Sequence, residues 1–110
     1  MKHIYFKGVF LINETFIIDH LIFDDWINEF RKRYIKALKE SPFVRDVVFS
    51  RVKGDHNPDG ENYALQFKIN EKEFDEFQAD KELLEIRKSI DDNFKNQYAS
   101  FVTVLEIDTE

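Results

Sequence analysis

The stretch Tyr63-Ala64-Leu65-Gln66-Phe67-Lys68-Ile69 limits the possible folds more than any other part of the chain. Tyr63, Leu65, Phe67 and Ile69 fall on every second position, the period of a strand that buries one face. The other face carries Ala64, Gln66 and Lys68, which make neither a clean core nor a plain solvent surface. Such a strand needs an apolar layer on one side and some way of satisfying a mixed surface on the other. With 110 residues the chain suits a single domain, expected over residues 1–110, that buries roughly two-thirds of its unfolded surface. Its 12 Phe, 4 Tyr and 1 Trp can fill the space between a sheet and a helical layer, and 3 Gly with 2 Pro leave little room for linkers.

Phe10 to Ile18 is rich in β-branched and aromatic residues and reads as a first strand. Ile12, Phe16 and Ile18 share one face with Glu14, while Leu11 and Ile17 share the other with Asn13 and Thr15. Neither face is wholly polar, so a central strand covered at least partly on both sides is expected. From Asp25 to about Glu40 the residues Trp26, Ile27, Phe30, Tyr34, Ala37 and Leu38 recur at helical spacing, with Asp24 placed to cap the helix and Pro42 to stop it. Phe43 to Val52 reads as a second strand, joined to Tyr63–Ile69 through the turn-rich segment from Lys53 to Glu61. Asn70 and Glu73 have capping-box spacing ahead of a second helical region. There the apolar pairs Phe74/Phe77 and Leu83/Ile86/Ile90/Phe94 are out of phase, which predicts a break near Gln78 to Lys81. Ala99 to Ile107 reads as the last strand.

The order strand, helix, strand, strand, helix, strand specifies an α+β, ferredoxin-like βαββαβ sandwich. Its four-stranded antiparallel sheet has two helices on one face and its first and third strands in the centre. A second copy packed on the free face is the simplest cover for the mixed side, so a homodimer forming a dimeric α+β barrel is expected.

Several functional classes are set aside by composition. The chain has no Cys and carries a net charge of -6, which removes thiolate chemistry and gives no basic excess for nucleic acid. The basic residues Arg31, Lys32, Arg33, Lys36 and Lys39 point in several directions on a helix and are balanced by acidic residues between 71 and 92. No apolar run approaches the roughly 18 residues of a membrane span, and the amino terminus lacks a signal-peptide pattern, so a cytoplasmic location is expected. His3, His20 and His56 share no face, the glycines form no phosphate loop, and Ser41, Ser50, Ser89 and Ser100 sit in no nucleophile-elbow sequence. No catalytic residue, metal site or cofactor is expected. The better candidates for ligand contact are polar groups on sheet faces: Gln66 and Lys68, with Asn13, Thr15 and Glu106 if the strand registers bring them together. Trp26 and Tyr98 are possible pocket walls, although core packing explains both.

The segments Leu11-Ile12-Asn13-Glu14-Thr15-Phe16, Asp25-Trp26, Tyr63-Ala64-Leu65-Gln66-Phe67 and Phe101-Val102-Thr103-Val104-Leu105-Glu106 together resemble an uncharacterised bacterial family, domain of unknown function 4286. The resemblance runs from about Phe10 to Ile107 and leaves residues 1–9 open between an extension, an extra strand segment and a mis-assigned start. Lys36 stands where the family pattern has a proline, which removes one local reason for a helix kink. The resemblance implies a ferredoxin-like fold of the dimeric α+β barrel group and transfers no catalytic residues. Two functions follow as expectations: a homodimeric binding or interaction module, or a small enzyme like the cofactor-independent or haem-dependent monooxygenases of that group, with a pocket between sheet and helices.

Overall fold

A computed structural model describes residues 8–54 and 60–108. The expectations for residues 1–7, for His56 and the tip of the loop around it, and for the last two residues lie outside them. Strand β1 (Val9–Asp19) leads through a short 3-10 turn into α1 (Phe23–Glu29), a π-helical stretch (Phe30–Ile35) and α2 (Lys36–Glu40). Strands β2 (Arg45–Arg51) and β3 (Gly60–Asn70) follow, then α3 (Phe74–Gln78), α4 (Lys81–Asn93) and β4 (Tyr98–Glu106). The break expected near Gln78 to Lys81 separates α3 from α4, and the Asp80 side chain accepts a hydrogen bond from the Leu83 N–H to start α4.

The strands form one antiparallel sheet in the order β2-β3-β1-β4, with β1 and β3 central. Its inner face packs on the helices. Ile12, Phe16 and Ile18 of β1 and Tyr63, Leu65, Phe67 and Ile69 of β3 are all buried there, as their alternation requires. Trp26 anchors the helical side, fully buried and stacked on Phe30 with ring centroids 4.6 Å apart. The π-helical stretch inserts a residue into the helical repeat, so neighbouring Tyr34 and Ile35 both turn inward. Gly60 opens β3 beside the Ile18 carbonyl, where a Cβ would approach the oxygen to 2.7 Å.

Three expectations are corrected. The sheet is open and is not closed into a barrel: β2 and β4 are both edges, and four strands are too few to meet around an axis. The mixed outer face of the central strands had suggested closure, but much of its polarity is satisfied within the sheet. Gln66 Nε2 donates to Asn13 Oδ1 at 3.0 Å, and Asn13 Nδ2 donates to Thr15 Oγ1 at 3.3 Å. Second, Asp24 lies inside the first turn of α1, and it is Asp19 that caps, accepting from the Leu21 N–H ahead of the 3-10 turn. Third, Asn70 and Glu73 meet side chain to side chain at 3.4 Å instead of forming a capping box. The helical charges also pair mostly along their own helices, as in Arg33–Glu29 and Lys88–Asp92. Such exposed pairs contribute about 0–1 kcal/mol each.

Candidate functional site

The inner face of β1 carries one charged residue, Glu14, and it is buried. Its partner comes from α4, where Arg87 lies on the inward stripe between Leu83 and Ile90. Arg87 Nη1 donates to Glu14 Oε1 at 3.1 Å, and Nη2 donates to Oε2 to complete a bidentate pair. Ser100 of β4 donates to Glu14 Oε2 at 2.7 Å and accepts from Arg87 at 3.4 Å. Arg87 Nε also reaches the Tyr98 hydroxyl at 3.4 Å, and that hydroxyl donates to Asp91 Oδ1. The guanidinium lies 5.3, 5.6 and 5.1 Å from the ring centroids of Phe16, Phe30 and Tyr34.

This arrangement defines the charges. Burial works against the Arg87 cation, but hydrogen bonding and attraction to Glu14 outweigh it and raise its pKa, so the guanidinium stays charged. Burial, reinforced by the bond to Asp91, pushes the Tyr98 phenol up to about 12. Burial likewise raises Tyr34, against the opposing pull of Arg87, so both phenols remain protonated donors at neutral pH.

The cluster forms the polar part of a cleft of about 410 Å³ between the inner sheet face and α3 and α4. Ile12, Phe67, Phe74, Phe77, Leu83 and Val104 supply apolar wall, and Glu14, Tyr34, Gln78, Arg87 and Asp91 supply the polar groups. The helices leave the β4 side uncovered: Val102 is 59% exposed and Leu84 56%. A smaller hollow of about 270 Å³ continues past Arg87 and Asp91 towards Tyr98 and Lys95. No group of three or more His, Cys, Asp or Glu suited to a metal ion occurs among the described residues.

Of the residues named from sequence, Tyr98 lies in this cluster and lines the smaller hollow, and the others fall elsewhere. Asn13, Thr15 and Gln66 do come together, on the outer sheet face. Lys68 lies on the same face and pairs with Asp46 at 3.4 Å. Glu106 is not with them, because β4 pairs it with Phe10 and so places it on the opposite face. Trp26 sits in the core and does not line the cleft; its indole N–H has no hydrogen-bond partner among the described residues. Sequence reasoning missed Glu14 and Arg87. The available signal was a carboxylate and a guanidinium each in phase with the apolar stripe of its own element.

An open α+β sandwich with a ligand-sized cleft between sheet and helices defines a class of small ferredoxin-like domains. The chain belongs to the family described as domain of unknown function (DUF4286), whose pattern matches residues 9–107. No protein of curated function matches it. Among solved structures, it is similar to a putative antibiotic biosynthesis monooxygenase from Caulobacter crescentus, with a TM-score of 0.70, 12% identity and coverage of 97% of this chain and 96% of that one. It is similar to hydroxynitrile lyase from Passiflora edulis, with a TM-score of 0.66, 14% identity and coverage of 91% and 95%. A dimeric ferredoxin-like protein of unknown function from Thermobifida fusca gives a TM-score of 0.61, 13% identity and coverage of 92% and 95%. Likeness at this level of identity concerns the fold, which is shared with small α+β enzymes. No helix among the described residues is long and apolar enough to cross a membrane.

Proposed function

We propose that the protein is a small-molecule enzyme whose substrate lies in the cleft between β1, β4, α3 and α4. The observation that carries this reading is the pairing of buried Glu14 with half-buried Arg87 at a mostly apolar, ligand-sized opening. A mostly apolar pocket with a few convergent polar groups is the usual form of a small-molecule site. The similarity of the fold to a monooxygenase and a lyase supports an enzyme over a passive interaction module. In this reading Tyr34 donates a hydrogen bond to a substrate oxygen and Asp91 accepts a proton, while Arg87, held by Glu14, keeps the Tyr98 and Asp91 side chains in place. Methyl-resolved NMR during titration with a panel of small aromatic compounds tests it. Shifts should concentrate on Leu84, Val102 and Val104; compounds that shift only Val48 and Leu105 on the outer face would contradict it.

A second reading concerns assembly. The outer face exposes Phe101 at 65%, Val48 at 50% and Leu105 at 45% around the hydrogen-bonded Asn13–Gln66 centre. A second copy is the occupant we assign to it, with support from the dimeric state named for the similar Thermobifida fusca protein. Light scattering should give twice the 13.3 kDa chain mass, and Phe101→Lys should shift the protein to monomer. A wild-type monomer at micromolar concentration would reject the homodimer without touching the cleft.

A further inference from the structure

Resting on the reading of the cleft as a substrate site, we infer that its ligand is an organic amine: an ammonium group on an apolar body of aromatic size. The formal charges on the cleft wall are two carboxylates, Glu14 and Asp91, and one guanidinium, Arg87. Arg87 is committed to Glu14 through both terminal nitrogens, which leaves the charge of Asp91 largely uncompensated: its nearest cation contact is Arg87 Nε at 3.7 Å. Asp91 uses Oδ1 for both Tyr98 and Arg87, while Oδ2 has no hydrogen-bond or ion-pair partner among the described residues. The Asp91 side chain is 55% exposed, so an entering ligand can reach it.

The walls point to the same chemistry. Phe67, Phe74, Phe77 and Tyr34 all line the cleft, and aromatic faces attract cations through their quadrupole. The fold already uses this arrangement once, in the Arg87 guanidinium packed against Phe16, Phe30 and Tyr34. No lysine lines the cleft; Lys95 lies in the adjoining hollow. A carboxylate ligand in the cleft would meet Asp91, and the nearest lysine, Lys95, lines the adjoining hollow instead of the cleft; the net charge of -6 for the whole chain adds to that penalty. An ammonium would instead meet Asp91 Oδ2 at the mouth and aromatic faces within.

Three probes with one skeleton and different head groups test the inference: 3-phenylpropylamine, 3-phenylpropan-1-ol and 3-phenylpropionate. They would be titrated into the full chain at neutral pH, with methyl NMR reporting the place and affinity of binding. The amine should bind in the cleft at least about tenfold more tightly than the carboxylate, a difference of about 1.4 kcal/mol. Asp91→Asn should erase most of that preference while leaving the affinity for the alcohol little changed. Binding of the carboxylate in the cleft as tightly as the amine would overturn the amine assignment and leave the cleft as a site. Absence of cleft binding by all three would overturn both. Retention of the full amine preference in Asp91→Asn would overturn the role given to Asp91.

Discussion

Asn13 and Glu14 are neighbours on one strand, yet they face opposite sides of the sheet and belong to different kinds of polar centre. Asn13 joins Gln66 and Thr15 in a neutral, part-buried network on the outer face. Glu14 is buried on the inner face and neutralised by Arg87, with Ser100 completing its shell. The outer network costs little, because neutral amides satisfy one another and keep some access to water. The inner pair is a different matter: desolvating two ions costs several kcal/mol each, and replacing such a pair by apolar residues is often neutral or stabilising. A sheet core that needed only packing would have no use for Glu14. Its presence beside an open cleft is the observation on which the proposed site rests.

The largest effect should come from breaking the inner pair on one side only. Arg87→Met strands a buried carboxylate and should lower stability by about 3–5 kcal/mol in urea melts. A loss below about 1 kcal/mol would mean that water already reaches Glu14. Trp26→Ala serves as the benchmark of ordinary core packing, with an expected loss of about 3–5 kcal/mol from its fully buried, stacked position.

The alkaline titration should show the same inner cluster at work. Tyr98 is raised from the ordinary phenol value of 10 to about 12, so the folded state keeps a proton that the unfolded state releases. The contribution of Tyr98 is therefore fully present below pH 10 and is lost as pH rises from 10 to 12. Ultraviolet absorption of phenolate, followed alongside melts across that window, checks the sign; Asp91→Asn should lower the Tyr98 midpoint. On the outer face the effect should be smallest. Gln66→Ala removes one neutral hydrogen bond and should cost about 0.5–1.5 kcal/mol by the same melts. A larger loss would mean that the outer network is as deeply committed as the inner one.

The difference between the faces also explains how far the chain could be read before its structure was seen. The period-two alternation of Tyr63 to Ile69 and the stripe from Trp26 to Leu38 report burial directly, so element order, sheet centre and core followed from them. The Gln66–Asn13 meeting was also within reach, because both residues sit off the apolar face of central strands. Register was not. Only the pairing of Phe10 with Glu106 shows that Glu106 belongs to the other side. Barrel closure was read from mixed polarity alone, and hydrogen bonding within the outer face removes much of the reason for it. Glu14 and Arg87 were missed because each taken singly looks like an exception in an apolar stripe. They are 73 residues apart in the chain, and only the packing of α4 on β1 makes them one feature.

The most direct test is the stability of Glu14→Leu/Arg87→Met, which replaces the pair with apolar side chains of similar size. If the pair is retained for the site and not for the fold, the double variant should recover nearly all of the loss seen in Arg87→Met and melt in urea at or above the wild-type midpoint. A double variant as unstable as Arg87→Met would show that the pair holds the fold together, and the case for the cleft would lose its main support.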